Sequence, residues 1–187
     1  PDGGVRKLGI PTVVDRVIQQ GIAQKLQNIW EPLFSDSSYG YRPRRSGQQA
    51  IQKVKEYAEE GYRYAVSVDL SKYFDTLNHE LLMNLLHRKI QDMRVLRIIK
   101  KYLKSGVMEN GVVSKTEEGS PQGGPLSPLL ANIYLNEFDW EMCGRGVKMV
   151  RYADDIVVFA KSKRAAERLM ESSRRYLEGK LKLKMNT

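Results

Sequence analysis

The order of sequence patterns along this chain predicts an α+β fold, in which helices back an antiparallel sheet. Residues 64–69 form a short apolar run of the length typical of a buried strand. Two further apolar runs, 148–153 and 156–161, are separated only by Asp154-Asp155, and this arrangement predicts a hairpin. Asn110-Gly111 lies between apolar pairs and predicts a second hairpin at the side of the sheet.

Helices are predicted where apolar residues recur at helical spacing after a capping residue. We expect these helices to begin at Thr12, Ser46, Asn78, Asp92 and, with Pro128 at the first helical position, Ser127. The helix that starts at Ser127 is expected to end near Cys143, and a last helix is predicted over residues 164–177.

Composition restricts the function without identifying it. Lys and Arg number 31 against 22 Asp and Glu, for a net charge of +9, which fits either a solvated basic surface or phosphate-rich partners. The single Cys143 excludes an internal disulfide and predicts a reducing, cytoplasmic setting. No segment approaches the roughly 20 apolar residues of a membrane helix, so no membrane association is expected. Because the chain begins at Pro1 and ends without an evident closing element, we expect a fragment of a longer protein.

Acidic residues stand at the ends of the predicted strands. Asp154-Asp155 joins two strands and is either a solvated turn or a site for a divalent metal. Asp69 ends the strand of residues 64–69 and is either a strand terminator or a further metal ligand. Nucleotidyl transfer uses two ions ~3.5–4 Å apart, bridged by carboxylates from separate elements. Mg²⁺ takes only one or two protein carboxylates. Asp69 and Asp154 are therefore suited to that chemistry.

Five segments, which occur along the chain in the order typical of the family, resemble motifs of the reverse transcriptases of the group II intron and bacterial branch. Residues 68–75 (Val-Asp-Leu-Ser-Lys-Tyr-Phe-Asp) are similar to the first catalytic motif, and residues 152–155 (Tyr-Ala-Asp-Asp) to the catalytic hairpin. Residues 120–128 (Ser-Pro-Gln-Gly-Gly-Pro-Leu-Ser-Pro) resemble the template and nucleotide motif. The fingers motifs are matched by residues 6–11 and 39–46.

The resemblance implies a polymerase palm, a ferredoxin-like antiparallel sheet backed by helices, with a helical fingers subdomain. Fingers are expected at residues 1–60 and about 78–122, and palm at 61–77 and about 123–187, while the thumb and the maturase domain are expected outside this chain. The implied activity is RNA-directed DNA synthesis from deoxynucleoside triphosphates on an RNA template with a DNA primer. Two Mg²⁺ ions, with Mn²⁺ as a substitute, and binding of intron RNA as a maturase are also implied, in a bacterial cytoplasm.

The resemblance assigns roles at the catalytic centre. Asp69 and Asp154 are the main metal ligands, Asp155 completes the acidic triad, and the carbonyl group of Leu70 is a further candidate ligand. Phe74 occupies the place of the sugar gate, although an ordinary core phenylalanine is the alternative.

Other residues are implied to contact nucleotide or nucleic acid. Residues that hold the incoming nucleotide are Arg6, Lys7, Gln122 and Gly123, and either Arg6 or Lys7 binds the triphosphate. A nucleic-acid track is formed by Tyr39, Arg42, Arg44, Arg45 and Gly124. For Arg6 and Lys7 a merely solvated pair is the alternative. For Tyr39 and Tyr41 the alternative is a structural loop.

Two other functions remain open at this point. One is a noncatalytic RNA-binding module that assists splicing, in which the aspartates would have no catalytic role. The other is a retron-type or other bacterial reverse transcriptase, which the fingers motif of residues 39–46 disfavours.

Overall fold

The computed structural model describes residues 11–105, 107–109, 112–114, 119 and 123–186. The first half contains α1 (Val13–Trp30), a 3₁₀ turn (Glu31–Leu33), α2 (Gly47–Glu59), β1 (Tyr64–Val68), a second 3₁₀ turn (Tyr73–Asp75) and α3 (His79–His87). The second half contains α4 (Met93–Lys104), β2 (Val107–Glu109), β3 (Val112–Ser114), α5 (Ser127–Gly144), β4 (Lys148–Tyr152), β5 (Asp155–Ala160) and α6 (Lys163–Gly179). The predicted α+β fold is confirmed.

The helix starts follow the capping residues that the sequence predicts. Thr12 and Asn78 each accept a backbone N–H bond from the residue three positions on. Ser46 and Gln49 form a full capping box, and Asp92 caps α4. Ser127 is the exception, because α5 begins at this residue and its N-cap is Leu126, whose side chain cannot accept a capping hydrogen bond.

The sheet has the strand order β1-β5-β4, with both pairs antiparallel. Val68 lies opposite Ile156, and Tyr152 opposite Asp155. Strands β2 and β3 pair separately as the predicted side hairpin, whose Asn110-Gly111 turn lies outside the described residues.

The two faces of the sheet pack against different hydrophobic clusters. Val68, Ile156 and Val158 point into the main core, which also contains the apolar side of α5. On the other face, Val150 and Phe159 pack in a smaller cluster with side chains of α2. Because side chains alternate along a strand, Asp69 and Asp155 fall on this second face.

In the N-terminal half of α1, apolar residues at helical spacing are exposed instead of buried. Val14 is 67% exposed and Ile18 is 42% exposed, whereas Leu26 and Trp30 are buried in the main core. The main core is therefore contacted by apolar side chains from the C-terminal half of α1, while the buried residue of the N-terminal half is the polar Gln19. No helix in the described ranges is both long enough and apolar enough to cross a membrane.

Candidate active site

Three aspartates lie at one end of the sheet. Val68, the last residue of β1, pairs with Ile156 on β5. Asp69 follows Val68 and Asp155 precedes Ile156, so the antiparallel pairing places these two aspartates side by side on one face of the sheet. Asp154 occupies the turn between β4 and β5. Asp69 is distant from the acidic hairpin in sequence, and the pairing of β1 with β5 brings the two together, as the sequence predicted.

The turn that carries Asp154 contains only two residues. Tyr152 and Asp155 close the hairpin, and Ala153 has φ of 58°, in the left-handed region. A non-glycine residue rarely adopts this conformation unless its surroundings impose it. Contacts from other parts of the chain hold this turn, as described below.

The carboxylates repel one another. The loss of water around the carboxyl group of Asp155 raises its pKa above the ordinary value, and the negative charges of Asp154 and Asp69 raise the pKa further. Asp154 and Asp155 form no ion pair with any cation in the described part of the chain. This is the electrostatic situation that a bound cation relieves.

Asn186 contacts Asp69 twice, a role that the sequence reasoning missed. Its side-chain amide donates to Oδ2 of Asp69 at 2.8 Å, and its backbone N–H donates to the carbonyl oxygen of Asp69 at 2.9 Å. Leu70 forms a β-bridge with Met185 in the same segment. The amide therefore restricts the orientation of the Asp69 carboxylate without neutralising its charge. Leu181, Leu183 and Met185 alternate with exposed residues, which was the signal for an extended segment here.

A buried arginine lies directly behind the hairpin. The guanidinium of Arg151 on β4 has no exposed surface, and it donates through Nε and Nη2 to the carboxylate of Asp139 on α5, at 2.6–3.0 Å. Its Nη1 donates to Oδ1 of Asn132 and to the carbonyl oxygen of Ala153, both at 2.8 Å. The last bond holds the strained turn residue and ties it to α5.

The loop after α1 docks against the same turn. Ser38 forms a parallel β-bridge with Arg151, and Asn132 donates to the carbonyl oxygen of Gly40 at 2.8 Å. A Cβ on Gly40 would lie 2.2 Å from the backbone nitrogen of Ala153, so no larger residue fits without a shift of the backbone. The loop after α1 and the hairpin of β4 and β5 are therefore in direct backbone contact.

The carboxylate oxygens at this end of the sheet suit a hard divalent cation that also binds oxygen atoms of a substrate. Within the described ranges, no group of three or more His, Cys, Asp or Glu side chains is arranged to hold a metal ion by itself. Mg²⁺ does not need such a cage, because it takes one or two protein carboxylates and fills its octahedral shell with phosphate oxygens and water. The uncompensated oxygens of Asp69, Asp154 and Asp155 fit that requirement.

Phe74, the expected sugar gate, packs at the edge of the main core. Its ring is half-buried against the main core and meets the ring of Tyr73 edge-on, with centroids 5.4 Å apart. Tyr73 is in turn anchored by a hydrogen bond from its hydroxyl group to the carbonyl oxygen of Ala131, at 2.6 Å. The side chain of Leu70 is buried, so only its backbone carbonyl group is available as a ligand.

The glycines of the template motif differ in their surroundings. Gly123 is exposed, with φ of 112°, a conformation that favours glycine. Gly124 is buried, and a Cβ there would lie 2.3 Å from Oε1 of Gln19 on α1. The close approach at Gly124 is thus made by a protein side chain, which gives this residue a packing role that the sequence analysis did not anticipate.

Two members of the expected nucleic-acid track are structural. The guanidinium of Arg42 is buried, pairs with Glu31 at 2.8 Å and donates to the carbonyl oxygens of Ser35 and Ser38. The ring of Tyr39 is buried in the smaller cluster. We correct the expectation for both, because groups satisfied inside the protein do not contact phosphates or bases. Burial also raises the pKa of the Tyr39 hydroxyl group.

The other two arginines of the track remain accessible. Arg44 is exposed, with φ of 62°. Arg45 pairs with the exposed Asp36 and lies over the ring of Tyr39, 5.4 Å from its centroid. Arg6, Lys7 and Gln122, the remaining expected nucleotide contacts, lie outside the described residues.

Sequence comparisons link the chain to one family. The family model described as reverse transcriptase (RNA-dependent DNA polymerase) matches residues 1–187. Protein YkfC of Escherichia coli strain K12 is 37% identical over 99% of this chain and 58% of its own length. The group II intron-encoded protein LtrA of Lactococcus lactis subsp. cremoris is 46% identical over 72% of this chain and 22% of its own length. The chain therefore spans less than two thirds of either relative.

Solved structures share the fold. Telomerase from Candida albicans in complex with a fragment of telomeric RNA matches with a TM-score of 0.64, at 14% identity, over 94% of this chain and 36% of that one. A partial Cas6-RT-Cas1–Cas2 complex matches with a TM-score of 0.52, at 25% identity, over 91% of this chain and 32% of that one. At its low identity, the telomerase likeness concerns the fold alone.

Replacing Asp139 by Ala tests the buried network. We expect a loss of about 3–5 kcal/mol in the free energy of unfolding, because the Arg151 charge would remain buried without its partner. Glu141→Ala is the matched control, since Glu141 lies on the same helix in an exposed pair with Arg145 and should cost less than about 1 kcal/mol. Urea unfolding of both variants measures the difference, and similar small losses would contradict a buried network.

Proposed function

Because the chain belongs to the reverse transcriptase family, we propose that it forms the catalytic core of an RNA-directed DNA polymerase centred on Asp69, Asp154 and Asp155. The observation that carries this proposal is that strand pairing brings Asp69 beside Asp155, on the face of the sheet opposite the main core. Three mutually repelling carboxylates at a rigid strand end suit the polymerisation of a triphosphate substrate.

The residues of the chain would hold and orient the reactants. When bound at the three carboxylates, two divalent ions would activate the 3′-hydroxyl group of the primer and neutralise charge on the leaving pyrophosphate. Asn186 keeps the Asp69 carboxylate oriented through its amide bond. Arg151 holds the turn that presents Asp154, through the carbonyl group of Ala153. The chain thus supplies positioning, which is the main protein contribution in phosphoryl transfer.

The nucleotide would lie against Phe74 and the glycines that precede α5. Tyr73 is tied to α5 and supports the ring of Phe74, so this ring has little freedom to retreat. A rigid ring below the sugar would exclude a 2′-hydroxyl group by contact. Arg6 or Lys7 and Gln122 would complete the nucleotide contacts from the fingers.

Intron RNA is the partner that we propose beyond template and primer. The support is the 46% identity to the group II intron-encoded protein LtrA, together with the net charge of +9. Arg44 and Arg45, which remain accessible, are the residues of the loop after α1 that would contact phosphates. The presence of all three aspartates disfavours the alternative of a purely noncatalytic splicing module.

Replacing Asp154 by Asn tests the catalytic assignment. This change removes a carboxylate charge at nearly constant volume, so primer extension by the protein carrying this chain should fall at least about 100-fold. RNA binding and the unfolding temperature should stay near the values of the unmodified protein. Glu59→Gln, an exposed change of equal charge on α2, is the control and should extend primers normally. DNA synthesis by the Asp154 variant at the normal rate would remove Asp154 from the mechanism.

Replacing Phe74 by Val tests the sugar gate. The smaller side chain leaves space for a 2′-hydroxyl group, so we expect use of ribonucleotides relative to deoxynucleotides to rise by about tenfold or more. Phe74→Tyr keeps the ring and should keep the selection. Competition assays with both nucleotide types provide the measurement. If Val and Tyr variants select sugars equally while both are folded, Phe74 is a core residue and the gate lies elsewhere.

A further inference from the structure

A basic cavity lies at the end of the sheet away from the carboxylates. It has a volume of about 380 Å³ and lies between the start of β4, the end of β5 and the first turns of α6. Its charged lining residues are Arg145, Lys148, Lys161 and Arg168, and none of its lining residues is acidic. We call this surface the distal basic cavity. Catalysis at the three aspartates makes no use of it.

The cations of the distal basic cavity are almost uncompensated. Lys148, Lys161 and Arg168 form no ion pair with the described residues. Arg145 has only Glu141, at 4.0 Å in an exposed pair, and a hydrogen bond to the hydroxyl group of Ser172. Four positive charges around one concavity repel each other unless an anion lies among them. The cavity therefore has the electrostatics of an anion-binding surface.

Aromatic rings hold two of the lysines in place. The ammonium group of Lys161 lies 5.0 Å from the centroid of the Tyr62 ring, and that of Lys148 lies 5.5 Å from the centroid of the Tyr57 ring. A cation–π contact orients an ammonium group but leaves its charge intact. A carboxylate in the same position would have neutralised it. The lysines are thus positioned and still available to an external anion.

Helix α6 adds to the same field. Its first turn contains no acidic residue, and Lys163 and Arg164 begin the helix. Acidic side chains are the ones that stabilise a helix N-terminus, whereas cations there oppose the helix dipole. An external anion beside this turn would reduce the repulsion between these cations and the positive end of the helix dipole. The start of α6 therefore favours an anion, as the distal basic cavity does.

We propose that the distal basic cavity binds the phosphate backbone of RNA, as a contact separate from the polymerase site. This proposal rests on the proposed function, because RNA comes close to this surface only if the protein binds and copies RNA. Several adjacent cations match the repeated charge of a backbone better than a single small anion. Tyr62, half-buried in the lining, offers a ring on which a base can stack.

The position of the cavity makes the contact independent of catalysis. Asp155 begins β5 and Ala160 ends it, so the two sites are about 17 Å apart along the strand, at roughly 3.3 Å per residue. An RNA bound at the cavity thus extends beyond the template that is being copied. Its loss should weaken RNA binding and leave nucleotide incorporation on a short, saturating primer–template unchanged.

The test replaces Lys148, Lys161 and Arg168 together by Gln in the protein carrying this chain. The probe is a labelled RNA hairpin, titrated at several salt concentrations. We expect affinity at low salt to fall by about tenfold or more, and the log–log salt slope to flatten by roughly 2–2.7, from 0.7–0.9 for each of three phosphate contacts. Primer extension on a short saturating template should match that of the unmodified protein.

The control replaces Lys55, Arg97 and Lys180 by Gln, which removes the same charge at exposed positions on three different elements. Binding of the control should stay close to that of the unmodified protein. Equal losses in both triple variants would show an effect of net charge and overturn the proposal, as would unchanged binding in the cavity variant. Absence of primer extension in the unmodified protein would instead refute the polymerase function and leave the binding comparison interpretable.

Discussion

Arg151 places a positive charge on β4 where no part of its side chain reaches solvent. A buried guanidinium is stable only when its charge and its donors are satisfied, and Asp139, Asn132 and the carbonyl group of Ala153 do this. These acceptors belong to α5 and to the hairpin turn, so satisfying the charge also fixes the turn. Asn132 extends the network to Gly40 and the loop after α1. One buried ion pair and its hydrogen bonds therefore set the geometry of the hairpin relative to α5 and to the loop after α1.

The charges of the three aspartates, unlike that of Arg151, are not compensated by partners of opposite charge among the described residues. Asp154 and Asp155 lie without ion pairs among the described residues, and partial loss of hydration, followed by the charges of Asp154 and Asp69, raises the pKa of Asp155. This repulsion disfavours the folded state wherever the carboxylates are ionised, and a protein optimised for stability alone would not retain it. The hydrogen bond from Arg151 to the carbonyl group of Ala153 holds the turn in place against this repulsion. A repelling cluster on a rigid support is the arrangement expected of a site that meets metal and triphosphate together.

The convergence of Asp69 with Asp154 and Asp155 was expected from the resemblance to a known family. Sequence patterns predicted the strands and the capped helices, because alternation, spacing and capping are local properties. They did not separate Arg42 from Arg44, since an irregular loop has no periodicity that distinguishes inward from outward side chains, and Arg42 proved to be buried against Glu31. Contacts between distant segments were equally out of reach. Asn186 lies 117 positions from Asp69, and the close approach of Gly124 to Gln19 depends on how α1 packs.

In the mechanism that we propose, Asp69 and the distant Asp154-Asp155 segment share one metal site. Iron-mediated hydroxyl radical cleavage tests it directly, because Fe²⁺ at a Mg²⁺ site cuts the backbone close to its ligands. We expect cleavage beside Asp69 and beside Asp154-Asp155 in the same preparation, with both cuts suppressed in parallel by added Mg²⁺. Cleavage at only one of the two segments, or cuts that Mg²⁺ suppresses at different concentrations, would contradict a shared site.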